Sequence, residues 1–434
     1  MRSDMRASGA LLGLASYLLG EDAKRTYLVL VQDNTELRPT GGYVAAYGLL
    51  TFDKGRLIAS EFQNTQLADS QLSGQVEPPA PIKTYLGERS WYLQDVSWSG
   101  DFSTTASRAS WFVDKELSVK VDGVISVDLQ YLKSLLSLTG PLKVEALGNV
   151  TEQNMYELLF KVNSASSFDR SRGLVYLVRS VFQTITESPE LFAGSVVSTA
   201  FENLRSKHVS IFIDNPKAQE ILDMAFWSGV IREGTCKFTG AFCQADYLYF
   251  TEANLGINKA NYFLDRSHNL DVSLAGGKLV HKLTVGYKNK SSGEWPGGEY
   301  KNYFRVYVPA DSEKFSAVLV NQEKSEQEDV TLNLGSEREK RTAGGFFVVP
   351  PGESRQLFLV WEIPVAVGLG QYSLLWQKQP GTGDDPVWLA ISNKDRGVGK
   401  VAPLPSLTTR ESIGYNTKLT RDLEFSVQWQ ENQR

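Results

Sequence analysis

The residues best suited to chemistry lie together in QDNTELRPTGGY, residues 32–43. Asp33, Asn34, Glu36, Arg38 and Thr40 bring charge, amide and hydroxyl groups next to the Gly41-Gly42 pair. Arginine presents a planar fork that suits phosphate or carboxylate. Paired glycines let a backbone approach a ligand closely, although a turn or bulge uses the same residues. Arg38 could equally pair with Asp33 or Glu36 and pin the loop. Two more carboxylates, Asp95 and Asp101, sit in the irregular piece WYLQDVSWSGDF. They could hold Mg²⁺ through oxygen ligands, or Asp101 could cap the helix that follows it. Arg170 and Arg172, with Asp169, precede a helical pattern, where a basic helix start would grip an anion or simply be solvated.

The elements that must position these groups can be read in order. YLVLV (27–31) is an apolar strand running into the loop, VAAYGLLTF (44–52) a second strand, and RLIASEF (56–62) a third after the turn Asp53-Lys54-Gly55. Residues 63–90, with three prolines, form a long loop or lid. A helix begins near Ser103, with Ala106, Ala109 and Phe112 at helical spacing. VDGVISV (121–127) is a buried strand, Asp128 an N-cap for LQYLKSLLSL, and Gly140-Pro141 its stop. Helices follow at 173–186, 189–204 and from Pro216 to near Trp227, with the strand HVSIFI (208–213) among them. Strands alternating with helices predict an α/β, or α+β layered, domain over 27–252 with a mixed sheet.

From about residue 270 the pattern alternates apolar and polar residues between Gly, Pro, Asn and Asp turns. That predicts an antiparallel β-sandwich of immunoglobulin type over 270–434, with 253–269 as connector. EKSEQED (323–329) reads as a solvated loop, and Trp295 with Tyr300 as either a glycan-stacking patch or a plug at the sandwich end. A chain of 434 residues is long enough for such a division.

Composition excludes several classes. With a net charge of −5 and no basic stripe, no nucleic-acid surface is expected. His208, His268 and His281 are far apart in sequence, so a histidine-rich metal site is not expected. No G-x-S-x-G elbow, P-loop or dinucleotide fingerprint occurs. The two cysteines, Cys236 and Cys243, flank a Gly-containing turn. Pairing would place the chain in an oxidising compartment; two free thiols are the alternative. GALLGLASYLL (9–19) is too short to span a bilayer. Residues 1–26 are either a packing helix or a membrane-proximal stub, and the early first strand favours the stub.

Several segments resemble one family, in order: Asp33-Asn34 with ELRPTGGY (36–43) and YGLLTFDKG, Asp95 with WSGDF (98–102), VDGVISVD (121–128) with LTGPLKV (138–144), ANLGINKANYF (253–263), and WPGGEYKNYFRVYVP (295–309). They are similar to the bacterial envelope proteins grouped as domain of unknown function family 4012. The resemblance implies a surface protein held by an N-terminal anchor outside this chain, with no agreed activity. The element order also resembles, more distantly, the LytR-CpsA-Psr phosphotransferases. That likeness implies Arg38 on a phosphate, Asp95 as the catalytic-region aspartate and Arg170 with Arg172 as a second basic cluster. Where those enzymes carry arginine before the aspartate, this chain has Gln94.

Three functions are therefore expected in turn. The first is an extracytoplasmic protein whose α/β domain binds a cell-surface glycan or polyprenyl-phosphate carrier through Asp33, Asn34, Thr40, Gly41, Gly42, Arg170 and Arg172. The second is a Mg²⁺-dependent phosphotransferase using Arg38, Asp95 and Asp101. The third is an adhesion module acting through the sandwich.

Overall fold

The structure is a computed structural model that describes residues 14–431 apart from 162–166, 240–241 and 366–367, with the side chains of 167–170 and 275 also outside the description. Two compact units divide at Val230/Ile231. Residues 9–13 of the 9–19 segment lie outside the described residues; 14–18 are helical, and Leu14 packs with Tyr27, Ile213 and Leu222. Among the described residues no helix is long and apolar enough to cross a membrane.

The first unit is built on a five-stranded mixed sheet of β1 (Arg25–Asp33), β2 (Tyr43–Asp53), β3 (Arg56–Asn64), β4 (Gly123–Asp128) and β7 (Val209–Ile213), in the order β3-β2-β1-β4-β7. β1 lies parallel to β4 and antiparallel to β2. A separate small hairpin pairs β5 (Leu142–Val144) with β6 (Gly148–Val150). The β2–β3 turn works because Lys54 and Gly55 both take positive φ, 51° and 77°, as a two-residue hairpin turn requires.

Alternation along the strands sends successive side chains to opposite faces. Leu28, Leu30, Val44 and Val124 pack against Phe102, Ala106, Ala109 and Phe112 of α2 (Phe102–Leu117), which follows the short α1 (Thr65–Asp69). Val29 and Val31 face the opposite layer, formed by α3 (Leu129–Thr139), α4 (Met155–Lys161) and α5 (Ser167–Glu187). α6 (Pro189–Arg205) packs on α3 and α5, and α7 (Pro216–Met224) on β7. Both expected caps form: Asp101 accepts from Thr104 N at 3.0 Å and Asp128 from Tyr131 N at 3.0 Å. α5 starts at Ser167, so Arg170 and Arg172 lie inside its first turns rather than ahead of them.

The second unit consists of an eight-stranded and a seven-stranded sheet sharing one apolar core that includes Trp361, Trp376, Phe304 and Leu389. The strands are antiparallel except for one pair in each sheet: Leu264–Ala275 with Asp385–Asn393, and Cys243–Asn254 with Gln371–Gln377. Among the described residues, fifteen strands across the two sheets exceed the seven to nine of an immunoglobulin domain. The domain boundary expected at 252 needs correction as well. Cys243–Asn254 is an interior strand of the seven-stranded sheet, between Tyr300–Val308 and Gln371–Gln377, so the second unit takes in what had been read as the end of the first and the connector. Glu326–Asp329, expected as loop, forms a short exposed edge strand. Tyr300 is buried and donates to Glu252 at 3.2 Å, which makes it a core plug, whereas Trp295 is half-buried beside Lys259.

Cys236 and Cys243 form a disulfide, which is compatible with an extracytoplasmic location. With seven residues of separation, replacing both by serine is expected to lower the unfolding free energy of the second unit by about 2.5 kcal/mol, measured as a shift of its urea transition.

Candidate functional site

The loop after β1 is organised from inside. Its polar side chains turn inward: Arg38 is 1% exposed and Thr40 fully buried. The Arg38 guanidinium donates to Asp95 Oδ1 from Nε at 3.3 Å and Nη2 at 3.1 Å, and to Glu36 Oε1 at 3.2 Å. A further bond from Nη1 reaches the Leu37 carbonyl at 3.2 Å. Burial opposes the guanidinium charge, but the two carboxylates outweigh it and hold its pKa above the usual value. Burial also pushes the Asp95 carboxyl above its usual range, with Arg38 pulling it back. The cluster joins the loop to the turn Leu93–Asp95, whose position is fixed further by Trp91 Nε1 donating to the Asp95 carbonyl at 3.0 Å.

The rest of the loop is held in the same way. Thr35 N donates to Asp33 Oδ1 at 2.9 Å, a local turn that explains Asp33. Thr40 N bonds the Ser97 carbonyl at 3.3 Å, and its hydroxyl lies 3.2 Å from that of Thr105 on α2. Gln32 Nε2 donates to Ser97 Oγ at 2.8 Å. Gly41 takes φ +132°, and a Cβ there would collide with the Gln32 amide; one on Gly42 would collide with the Asp33 carbonyl. The glycines thus serve close chain approach, which is one of the two roles their sequence allowed.

The structure therefore brings Arg38, Asp95 and Glu36 into contact. The Asp101 carboxylate accepts from Thr104 N, Ser103 Oγ and Thr104 Oγ1 at the start of α2. Asp95 and Asp101 are both engaged by protein donors, and among the described residues no three His, Cys, Asp or Glu side chains gather as a metal site would need. Arg172 is exposed on α5 and bonds Tyr176 OH at 3.2 Å; the Arg170 side chain lies outside the described residues.

Two features escaped the sequence reading. The first is a carboxyl pair, Asp69 at the end of α1 and Glu116 on α2, both buried. Asp69 Oδ1 accepts from Leu93 N at 2.8 Å, while its Oδ2 and both Glu116 oxygens have no donor. Burial and the neighbouring Glu116 charge push the Asp69 carboxyl up to about 8, and burial pushes Glu116 up to about 7. One proton shared between them would join Asp69 to one of the Glu116 oxygens. The second is an apolar cavity of about 240 Å³ on the opposite face of the sheet, between β1, β2, β4 and helices α3, α5 and α6. Val29, Val31, Val127, Val181, Phe182 and Val196 are among its walls, and Tyr131, whose phenol is pushed up to about 12 by burial, is the one polar residue lining it among the described residues. The alternating valines of β1 signal a buried face in the sequence, but not that the opposing helices leave space above it.

Residues 22–162 match the family described as "Protein of unknown function (DUF4012)". The match covers about a third of the chain and includes the Arg38 loop, Asp95, Asp101 and Asp128. The resemblance read from those motifs is thereby borne out; the segments at 253–263 and 295–309 lie beyond the matched span. No curated protein matches the chain. Solved structures with some likeness include TagV of B. subtilis, at 12% identity over 50% of this chain and 87% of that one, TM-score 0.29. Another is the Lin1025 protein of Listeria innocua, at 15% identity over 48% of this chain and 78% of that one, TM-score 0.27.

Arg38→Ala would strand two buried carboxylates and is expected to cost the first unit about 3–5 kcal/mol, read from urea unfolding. The carboxyl pair makes a separate forecast about pH. Its groups titrate higher in the folded state than the usual carboxylate range, so the native state holds the extra proton and loses stability as pH rises from about 4 to about 8. Asp69→Asn keeps the acceptor for Leu93 N and should flatten that slope; an unchanged slope between pH 5.5 and 8.5 would contradict the shared proton.

Proposed function

We propose that the first unit binds an apolar chain, of the kind found in polyprenyl-linked glycan carriers, in the cavity between the sheet and α3, α5 and α6. The observation that carries this reading is the cavity itself: about 240 Å³ with an almost wholly hydrocarbon wall. Binding sites for small molecules are typically concave and mainly apolar, with few polar groups. Each methylene transferred from water onto such a wall contributes roughly 0.8 kcal/mol. A branched prenyl chain matches a wall of valine, leucine, isoleucine and phenylalanine in chemistry. The disulfide supports placing this binding on the extracytoplasmic side of a bacterial envelope. Glycan or pyrophosphate contacts would fall to polar groups at the cavity rim.

The phosphotransferase alternative has one specific support, the contact between Arg38 and Asp95. Both charges are engaged and Arg38 is 1% exposed, so a phosphate would have to displace Asp95 or Glu36 from the guanidinium before meeting it. Carrier binding without transfer requires no such rearrangement.

Geranylgeranyl phosphate titrated into the protein, followed by calorimetry, tests the binding reading. Wild type should bind with micromolar affinity, and Val181→Trp, which fills the cavity, should weaken binding at least tenfold while keeping a cooperative melt. Val127→Phe provides a second filling variant from the strand side. Absence of binding by wild type, or equal binding by both folded variants, would remove the reading.

A further inference from the structure

A glycine inside a strand costs stability, and it is kept where the chain bulges or bends, or where another backbone or a ligand comes close. Gly286 stands inside the strand Lys278–Asn289 of the eight-stranded sheet. Its register is unbroken on both sides, facing Ser267 of Leu264–Ala275 and Gln356 of Ser354–Pro364. Its φ lies outside the left-handed region. A Cβ built there would meet Ser267 Oγ at 2.9 Å, the end of a side chain that can turn away, and no backbone atom. Bulge, positive φ and backbone crowding therefore do not account for Gly286, and the approach of a ligand is the reason that remains.

Gly286 lines a cavity of about 580 Å³ in the second unit. Leu283, Val285 and Tyr287 enter the apolar core, so Gly286 and Lys288 face away from it. The sheet register lays two rows across this face. Val320, Gln356, Gly286 and Ser267 form one, over four strands and about 14 Å at the usual strand spacing. Ser354, Lys288 and Asp265 form the other. We infer that this groove binds a short neutral oligosaccharide. The floor is made low by Gly286 and the two serines, as a flat ring needs. The groups around it match hydroxyls, which both donate and accept. Gln322 Nε2 donates to Gln356 Oε1 at 2.7 Å, which fixes both amides and leaves Gln322 Oε1 and Gln356 Nε2 for a ligand. Val320 and Pro386 offer apolar surface for the C–H face of a sugar. The charges argue against an ionic ligand. Arg266 is neutralised by Glu252 and Asp385, Arg355 by Glu353, and Asp265 by Lys290. Of the charged lining residues that leaves Lys288 and Glu323, one of each sign. The inference concerns the second unit and does not depend on the prenyl-chain reading of the first.

Calorimetric titration of the full chain with maltotriose, cellotriose and N,N′,N″-triacetylchitotriose tests this, with heparin as an anionic control. Wild type should bind at least one of the three neutral sugars with millimolar affinity or better, and heparin no more tightly. Gly286→Thr raises the floor with a residue that favours strands. It should weaken binding at least fivefold while melting no lower than wild type, an outcome that a packing role for the glycine would not give. Lys288→Ala, at an exposed position, should weaken binding at least threefold with an unchanged melt. The inference is overturned if none of the three sugars binds, if heparin alone binds, or if both variants bind as wild type does. It is also overturned if Gly286→Thr melts well below wild type, because the glycine then serves packing. A wild-type dimer that Lys288→Ala converts to a monomer would overturn it as well, since a second copy would then occupy the groove. Oligosaccharide binding without binding of geranylgeranyl phosphate would sink the reading of the first unit alone; the reverse result would sink this one alone.

Discussion

A guanidinium sealed from water between two carboxylates is costly to build, and the architecture of the first unit near its loop follows from meeting that cost. Desolvating a charge takes several kcal/mol, which is recovered only with close partners in good geometry. Arg38 obtains them from Glu36, two residues away, and from Asp95, 57 residues away. To deliver Asp95, the turn Leu93–Asp95 must sit against the loop, and it is held there by Asp69 at the end of α1 and by Trp91. Thr40 and Gln32 then tie the same loop to Ser97 and Thr105, beside the cap of α2. A segment that reads as a ligand-binding loop because it is polar also serves, in the folded chain, as a polar clamp between strand ends and helix starts.

The sheet separates two chemistries. On the α2 side, strand alternation directs Leu28 and Leu30 into a filled core and Gln32 into the polar clamp at its edge. On the other side Val29 and Val31 meet helices that do not close fully, which leaves the cavity. The parity of a strand residue thus decides whether it supports the charged network or lines the apolar one. The second unit uses buried polar groups differently. His281 Nε2 lies 2.7 Å from Asp246, which also accepts from Tyr372, and Arg266 joins Glu252 and Asp385 inside the sandwich. These groups face one another within the core, where paired polar groups avoid the penalty of isolated ones.

The histidines illustrate what linear spacing conceals. Widely separated in sequence, each faces an aspartate in the fold: His208 with Asp128 at 2.6 Å, His268 with Asp385 at 3.6 Å and His281 with Asp246 at 2.7 Å. Asp128 shows both levels at once. One oxygen caps α3, as its position before LQYLKSLLSL indicates, while the other holds a histidine 80 residues distant.

Local physics was legible in the chain alone. Asp101 and Asp128 announce helix starts because their carboxylates reach backbone donors two or three residues on, and Lys54-Gly55 announces a hairpin because the turn needs positive φ. Alternation marked the β-rich second unit, and the loop motif marked the family matched by residues 22–162. Only tertiary structure decided that Arg38 is buried on Asp95, that Asp69 faces Glu116, that Cys243–Asn254 belongs to the second unit, and that the helices over Val29 and Val31 leave a cavity. Those outcomes depend on which distant segments pack together and how completely they fill the space between them. Capping and turn preferences act over a few residues and carry no information about either.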